Sequence, residues 1–121
     1  MRTAAAVTGL GLLLAAGTVP AGATGGTAAV VAVAPFRYSP NPIEISQGDK
    51  LTFANFDAIS IFSIEGHSLT QAVKPGQELF GSPITPPGTS STVVGVDKLP
   101  KGEYRFTCRV HAFMNGKLVV R

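Results

Sequence analysis

The sequence predicts a single all-β domain, a Greek-key sandwich of about seven to eight strands. Three observations carry this. Short segments of alternating or β-branched character recur between turn residues. No segment beyond the N-terminal apolar stretch repeats its apolar side chains every 3.6 positions. Nine prolines and fourteen glycines in 121 residues cut the rest into pieces too short for helices.

Met1-Arg2 is a short positive start, and 4–16 is apolar apart from Thr8 and two glycines. Small residues then lead to Ala21-Gly22-Ala23, an Ala-x-Ala cleavage pattern. That order reads as a secretory signal peptide over 1–23, leaving one domain over 24–121. Its apolar core is too short, and too rich in Ala and Gly, to span a bilayer stably. An uncleaved anchor is the alternative; a bacterial lipid anchor is excluded, because no cysteine lies near the cleavage site. The expected destination is a periplasm or the outside of the cell.

After a short lead-in, strands are predicted over 29–38, 43–46, 50–55, 68–73, 91–96, 103–108 and 117–121. Pro40-Asn41-Pro42, Gln47-Gly48-Asp49, Lys74-Pro75-Gly76, Pro86-Pro87-Gly88, Leu99-Pro100-Lys101-Gly102 and Asn115-Gly116 are the turns between them. Tyr104 and Phe106 alternate with Arg105 and Thr107, so Cys108 falls on the aromatic, inward face near a strand end. His67 is expected to begin a strand.

Without Arg2 the chain has nine basic and seven acidic side chains, scattered singly, which argues against nucleic acid as a partner. Cys108 is the only cysteine, so there is no disulfide within the chain. An exported chain with one thiol needs that thiol buried, or engaged by a metal or by chemistry.

Cys108-Arg109-Val110-His111-Ala112-Phe113-Met114 reads C-x-x-H-x-x-M and sets a thiol, an imidazole and a thioether within seven positions. Thiolate and thioether favour copper, and imidazole suits it. A tight loop leaving a strand can gather all three around one point. A fourth ligand must come from elsewhere, and His67 is the only other histidine. Two imidazoles and a thiolate in a plane, with a weak axial thioether, make an electron-transfer copper site. Four protein ligands leave no open position for a substrate, which argues against an enzyme.

These residues resemble the cupredoxins, the type 1 blue copper proteins of amicyanin and plastocyanin kind. The short spacing of the C-x-x-H-x-x-M loop is similar to that of amicyanin. Pro42-x-Ile-x-Ile-x-x-Gly48-Asp49-x-Leu-x-Phe53-x-Asn55-x-Asp57 looks like the family's early strand pair. Gly66-His67-Ser68-Leu69-Thr70 looks like its first-ligand segment, and Gly102 to Cys108 like its last-but-one strand. The resemblance implies one copper ion, with His67, Cys108 and His111 as equatorial ligands and Met114 as the axial one. Two departures stand out. Nine residues separate Asp57 from His67, among them apolar Ala58, Ile59, Ile61, Phe62 and Ile64. Ser68 follows the first histidine where the family often has an asparagine bonded to the segment beside the cysteine. Both bear on the hydrogen bonds around the ligands, which tune the metal.

Taken singly, Cys108 reads as a buried inert thiol, His67 as a surface or core histidine, and Met114 as packing. Their joint occurrence at strand ends favours the copper site. A Cys/His nucleophile lacks a third, orienting group; a multicopper oxidase or nitrite reductase needs more histidines. A structural zinc site is disfavoured by the thioether. A copper carrier or chaperone stays open as the alternative to electron transfer. The expected partners are transient redox proteins docking near His111, Phe113 and Ala112, with the chain monomeric and not inserted in a membrane after leader removal. Ile59, Ile61 and Phe62 either extend that rim or close the sandwich end.

Overall fold

The structure, a computed structural model, describes residues 25–57 and 66–121. The leader expected over 1–23 and the apolar residues Ala58, Ile59, Ile61, Phe62 and Ile64 lie outside the described residues. Among the described residues the chain forms eight strands: β1 (Thr27–Val33), β2 (Arg37–Ser39), β3 (Ile43–Ile45), β4 (Lys50–Asn55), β5 (Thr70–Gln71), β6 (Ser90–Thr92), β7 (Gly102–Thr107) and β8 (Asn115–Val120). One turn of 3-10 helix, Val96–Lys98, lies between β6 and β7.

Two four-stranded sheets result, ordered β2-β1-β4-β6 and β3-β8-β7-β5. β1 runs parallel to β4 and β3 to β8, while the remaining pairs are antiparallel. Every connection from β2 to β7 changes sheet, which stitches the layers into a sandwich. The predicted all-β sandwich is the fold observed.

The alternation dictates which faces meet. Val30 and Ala32 of β1 and Leu51, Phe53 and Asn55 of β4 point inward and are fully buried. Ile43, Ile45, Phe106, Leu118 and Val120 supply the facing layer. Enclosing a large apolar side chain in this way is worth about 1.5–3 kcal/mol relative to leaving it exposed. Tyr38 spans the layers, its ring 4.8 Å from that of Phe106 and 6.0 Å from that of Phe53. Gly116 pairs with Phe106 across β7 and β8, and the ring occupies the space a Cβ there would need.

Beyond shifts of one or two residues, three segments differ from expectation, and Asn115-Gly116, expected as a turn, opens β8 instead. The segment 29–38 is two strands, not one: it folds back through Pro35, which offers no N–H to a ladder, and Phe36, at φ 56°. The segment 68–73 shrinks to β5, and His67 joins Thr85 in an isolated bridge rather than starting a strand. The segment 91–96 ends at Thr92, because Gly95 at φ 98° turns the chain into the 3-10 helix. The fold-back at Pro35 and Phe36, the end of β4, the start of β5 and the loop between β7 and β8 gather at one end of the sandwich. The 3-10 helix sits at the start of β4 instead, where Asp97 lies 3.3 Å from Lys50.

Candidate metal centre

His67 is positioned by the end of β4 and by Thr85. Its N–H donates to the Thr85 carbonyl at 3.2 Å, and the Thr85 N–H donates back at 2.7 Å. Gly66, at φ 98°, lets the chain pass against that carbonyl, where a Cβ would collide. Asn55 continues the inward alternation of β4. Its Nδ2 donates to the same Thr85 carbonyl at 2.8 Å, and its Oδ1 accepts the Asp57 N–H at 2.9 Å. Asp57, next in that alternation, places Oδ2 2.9 Å from His67 Nε2, and both side chains are 0 % exposed.

Cys108 follows β7 directly and opens the loop. Its N–H donates to the Met114 carbonyl at 3.0 Å, and the Thr107 hydroxyl donates to the same oxygen at 3.1 Å. The Met114 N–H donates to the His111 carbonyl at 2.9 Å. The loop is therefore clipped at its base, and the ladder of β7 and β8 fixes its two ends. Among the described residues Cys108 is the only cysteine; it is free and buried.

Ser68 ties the two ligand segments together. Its N–H donates to Cys108 Sγ at 3.3 Å, its Oγ accepts the Arg109 N–H at 2.9 Å, and its carbonyl accepts the Tyr38 hydroxyl at 2.6 Å. The serine thus makes the bond to the segment beside the cysteine that an asparagine was expected to make. Burial pushes the Tyr38 phenol far above its ordinary pKa, and the nearby Cys108 sulfur adds to the effect, so the hydroxyl stays a donor.

These supports bring three donor atoms together. His67 Nδ1 and His111 Nδ1 are 3.2 Å apart, and each lies 3.8 Å from Cys108 Sγ. A point in the plane of that triangle sits about 2.1 Å from all three atoms, within the range of metal–imidazole bonds and close to that of metal–thiolate bonds. His67, Cys108 and His111 form a group that can hold one metal ion. Its donor set of two nitrogens and one sulfur fits copper. Met114 is buried at 1 % exposure, and its backbone is bonded to both Cys108 and His111. The Phe36 ring packs over the site, its centroid 4.9 Å from His111, 5.9 Å from His67 and 5.3 Å from Phe113. His111 is half-buried, whereas Ala112 and Phe113 are exposed.

All four residues singled out in the sequence lie at this end. Asp57, Tyr38 and Phe36 were not recognised as part of it. A signal existed for Asp57: Leu51, Phe53, Asn55 and Asp57 share one strand face, so two polar side chains fall where the core should be.

Residues 5–120 match the cupredoxin-like domain family. Cytochrome c oxidase subunit 2 of Thermus thermophilus is 36% identical over 93 residues, which cover 71% of this chain and 59% of that protein. A second subunit 2 from the same species shows the same identity over 48% of its length. The chain thus spans about half the length of these relatives. An oxidised amicyanin variant superposes with a TM-score of 0.60 at 22% identity, over 79% of this chain and 83% of that one. The copper-containing nitrite reductase of Thermus scotoductus SA-01 gives a TM-score of 0.60 at 24% identity, over 78% of this chain and 22% of its own. At such identities the structural likeness is one of fold, and the family match extends over nearly the whole sequence: the chain belongs to the cupredoxin-like domain family.

Proposed function

We propose that this chain is an exported blue copper protein that carries single electrons between redox partners, with His67, Cys108 and His111 as copper ligands and Met114 as the axial one. The observation that carries this reading is the donor triangle, held by hydrogen bonds to His67 and Cys108. A bound copper ion would supply a one-electron couple between Cu(II) and Cu(I). The chain's own residues do the rest. Asp57 and Thr85 hold His67 from two sides, and the Ser68 N–H stabilises negative charge on the Cys108 sulfur. Burial of Cys108 keeps water from the sulfur. Donors fixed in this way cannot rearrange much when the charge at the centre changes, which suits rapid electron transfer.

His111 is the donor nearest solvent, and Ala112, Phe113 and Phe36 form an apolar rim around it. We place transient docking of a redox partner there, since a small exposed apolar patch favours brief contacts. The closed donor set supports a carrier rather than an enzyme. The signal-like 1–23 supports export to a periplasm or the cell surface. Likeness to a cytochrome oxidase subunit favours respiratory proteins as partners.

The test is a visible and electron paramagnetic resonance spectrum of chain 24–121 loaded with Cu(II). An intense thiolate-to-copper band with narrow copper hyperfine splitting is expected. A pale, ordinary Cu(II) spectrum, or none, overturns the reading and leaves copper delivery as the better account.

A further inference from the structure

We propose that Asp57 is a positioning residue of the metal centre: its carboxylate holds the His67 proton on Nε2, keeps Nδ1 open toward Cys108 and His111, and weights the site toward Cu(II). The last part rests on the copper reading above; the first two parts rest on geometry alone.

A neutral imidazole carries one proton, on either ring nitrogen. A carboxylate oxygen can only accept, so at 2.9 Å from Asp57 Oδ2 it is Nε2 of His67 that donates. The lone pair is thereby left on Nδ1, the atom that faces His111 Nδ1 at 3.2 Å and Cys108 Sγ at 3.8 Å. With the proton on Nδ1 instead, that nitrogen could not bind a metal. Neither side chain is exposed to bulk solvent.

Burial also decides the size of the electrostatic effect. A negative group one imidazole away from the metal position, unscreened by water, favours a dication over a monocation. The same oxygen accepts the Phe36 N–H in a longer bond of 3.4 Å. Asp57 therefore also ties down the turn whose ring covers both histidines.

The experiment has two arms, each on wild type, Asp57→Asn and Asp57→Ala. In metal-free chain 24–121, imidazole nitrogen NMR reads which His67 nitrogen is protonated. In copper-loaded chain, Cu(II) and Cu(I) affinities and the reduction potential are measured. Wild-type His67 is expected to carry its proton on Nε2 alone, and Asp57→Ala to mix the two tautomers. Both variants should lose about 10–100-fold in Cu(II) affinity. The loss for Cu(I) should be smaller, so the potential rises. Asp57→Asn keeps a carbonyl that can accept, so its tautomer should stay while its potential moves, which separates the two roles.

A proton on Nδ1 of wild-type His67 overturns the proposal. So does an equal loss of both affinities with an unmoved potential, the mark of a merely structural group. The wild-type tautomer is read without any variant, so an unfolded alanine variant leaves the test intact. Failure of the copper reading would appear elsewhere, as a missing thiolate band in wild type, with the tautomer result standing.

Discussion

Replacing Tyr38 with phenylalanine removes one oxygen from the middle of the sandwich and should have an effect that reverses sign with pH. At neutral pH the hydroxyl donates to the Ser68 carbonyl at 2.6 Å in a buried setting. Its loss leaves that carbonyl poorly satisfied, at a cost of about 2 kcal/mol. Burial, and secondarily the Cys108 sulfur, holds the folded phenol well above the ordinary tyrosine range. Below about pH 10 the phenol is protonated in both folded and unfolded chains, and its bond contributes fully. Above that, the unfolded chain loses the proton and the folded chain cannot, so wild type loses about 1.4 kcal/mol of stability per pH unit. The gap between wild type and Tyr38→Phe should therefore close about one and a half units above pH 10, and reverse beyond it. Urea unfolding of metal-free chain 24–121 at intervals from pH 7 to 12 measures it. A gap that stays constant through pH 11 would refute the reasoning, because it would mean the phenol ionises as readily folded as unfolded.

Three further outcomes are expected. Ser68→Ala keeps the backbone bond to Cys108 Sγ but strips the acceptor from the Arg109 N–H; it should cost about 1–2 kcal/mol in thermal or urea unfolding and alter the thiolate-to-copper band. Met114→Leu preserves the buried volume, so stability should fall by less than about 1.5 kcal/mol while the reduction potential rises; an unmoved potential would remove Met114 from the ligand set. Phe113→Ala, at a side chain 67 % exposed, should change stability by no more than about 0.5 kcal/mol and leave the copper spectrum alone. It should nevertheless slow electron exchange with a redox partner, and an unchanged rate would move the docking surface elsewhere.

The candidate ligands could be picked out in the sequence because the information is local. Cys108, His111 and Met114 lie within one loop, and a chain with two histidines leaves only His67 to join them. Strand alternation was equally local, and it located both layers of the core. What escaped depends on how the sheets bring distant residues together. Tyr38 meets Ser68 across 30 positions, and Ser68 meets Cys108 across 40. The fold-back at Pro35 hid behind an unbroken β-like pattern, although a proline inside such a pattern is itself a warning. Asp57 carried the core-face alternation two residues past β4, but the histidine that satisfies it comes ten positions later, from the bridge with Thr85.

His67 and Cys108 belong to different segments, 41 positions apart, and the candidate ligands on the Cys108 side come from a single hairpin loop. An ion shared by the two segments would be a crosslink as well as a redox group. The chain has one cysteine and cannot make a disulfide within itself. By the same chain-entropy reasoning that applies to disulfides, closing a loop of this size restricts the unfolded ensemble by about 4 kcal/mol. The metal would then stand in for the missing staple, holding the His67 segment to the β7–β8 hairpin, and its removal would loosen the joint between the two segments before either sheet comes apart.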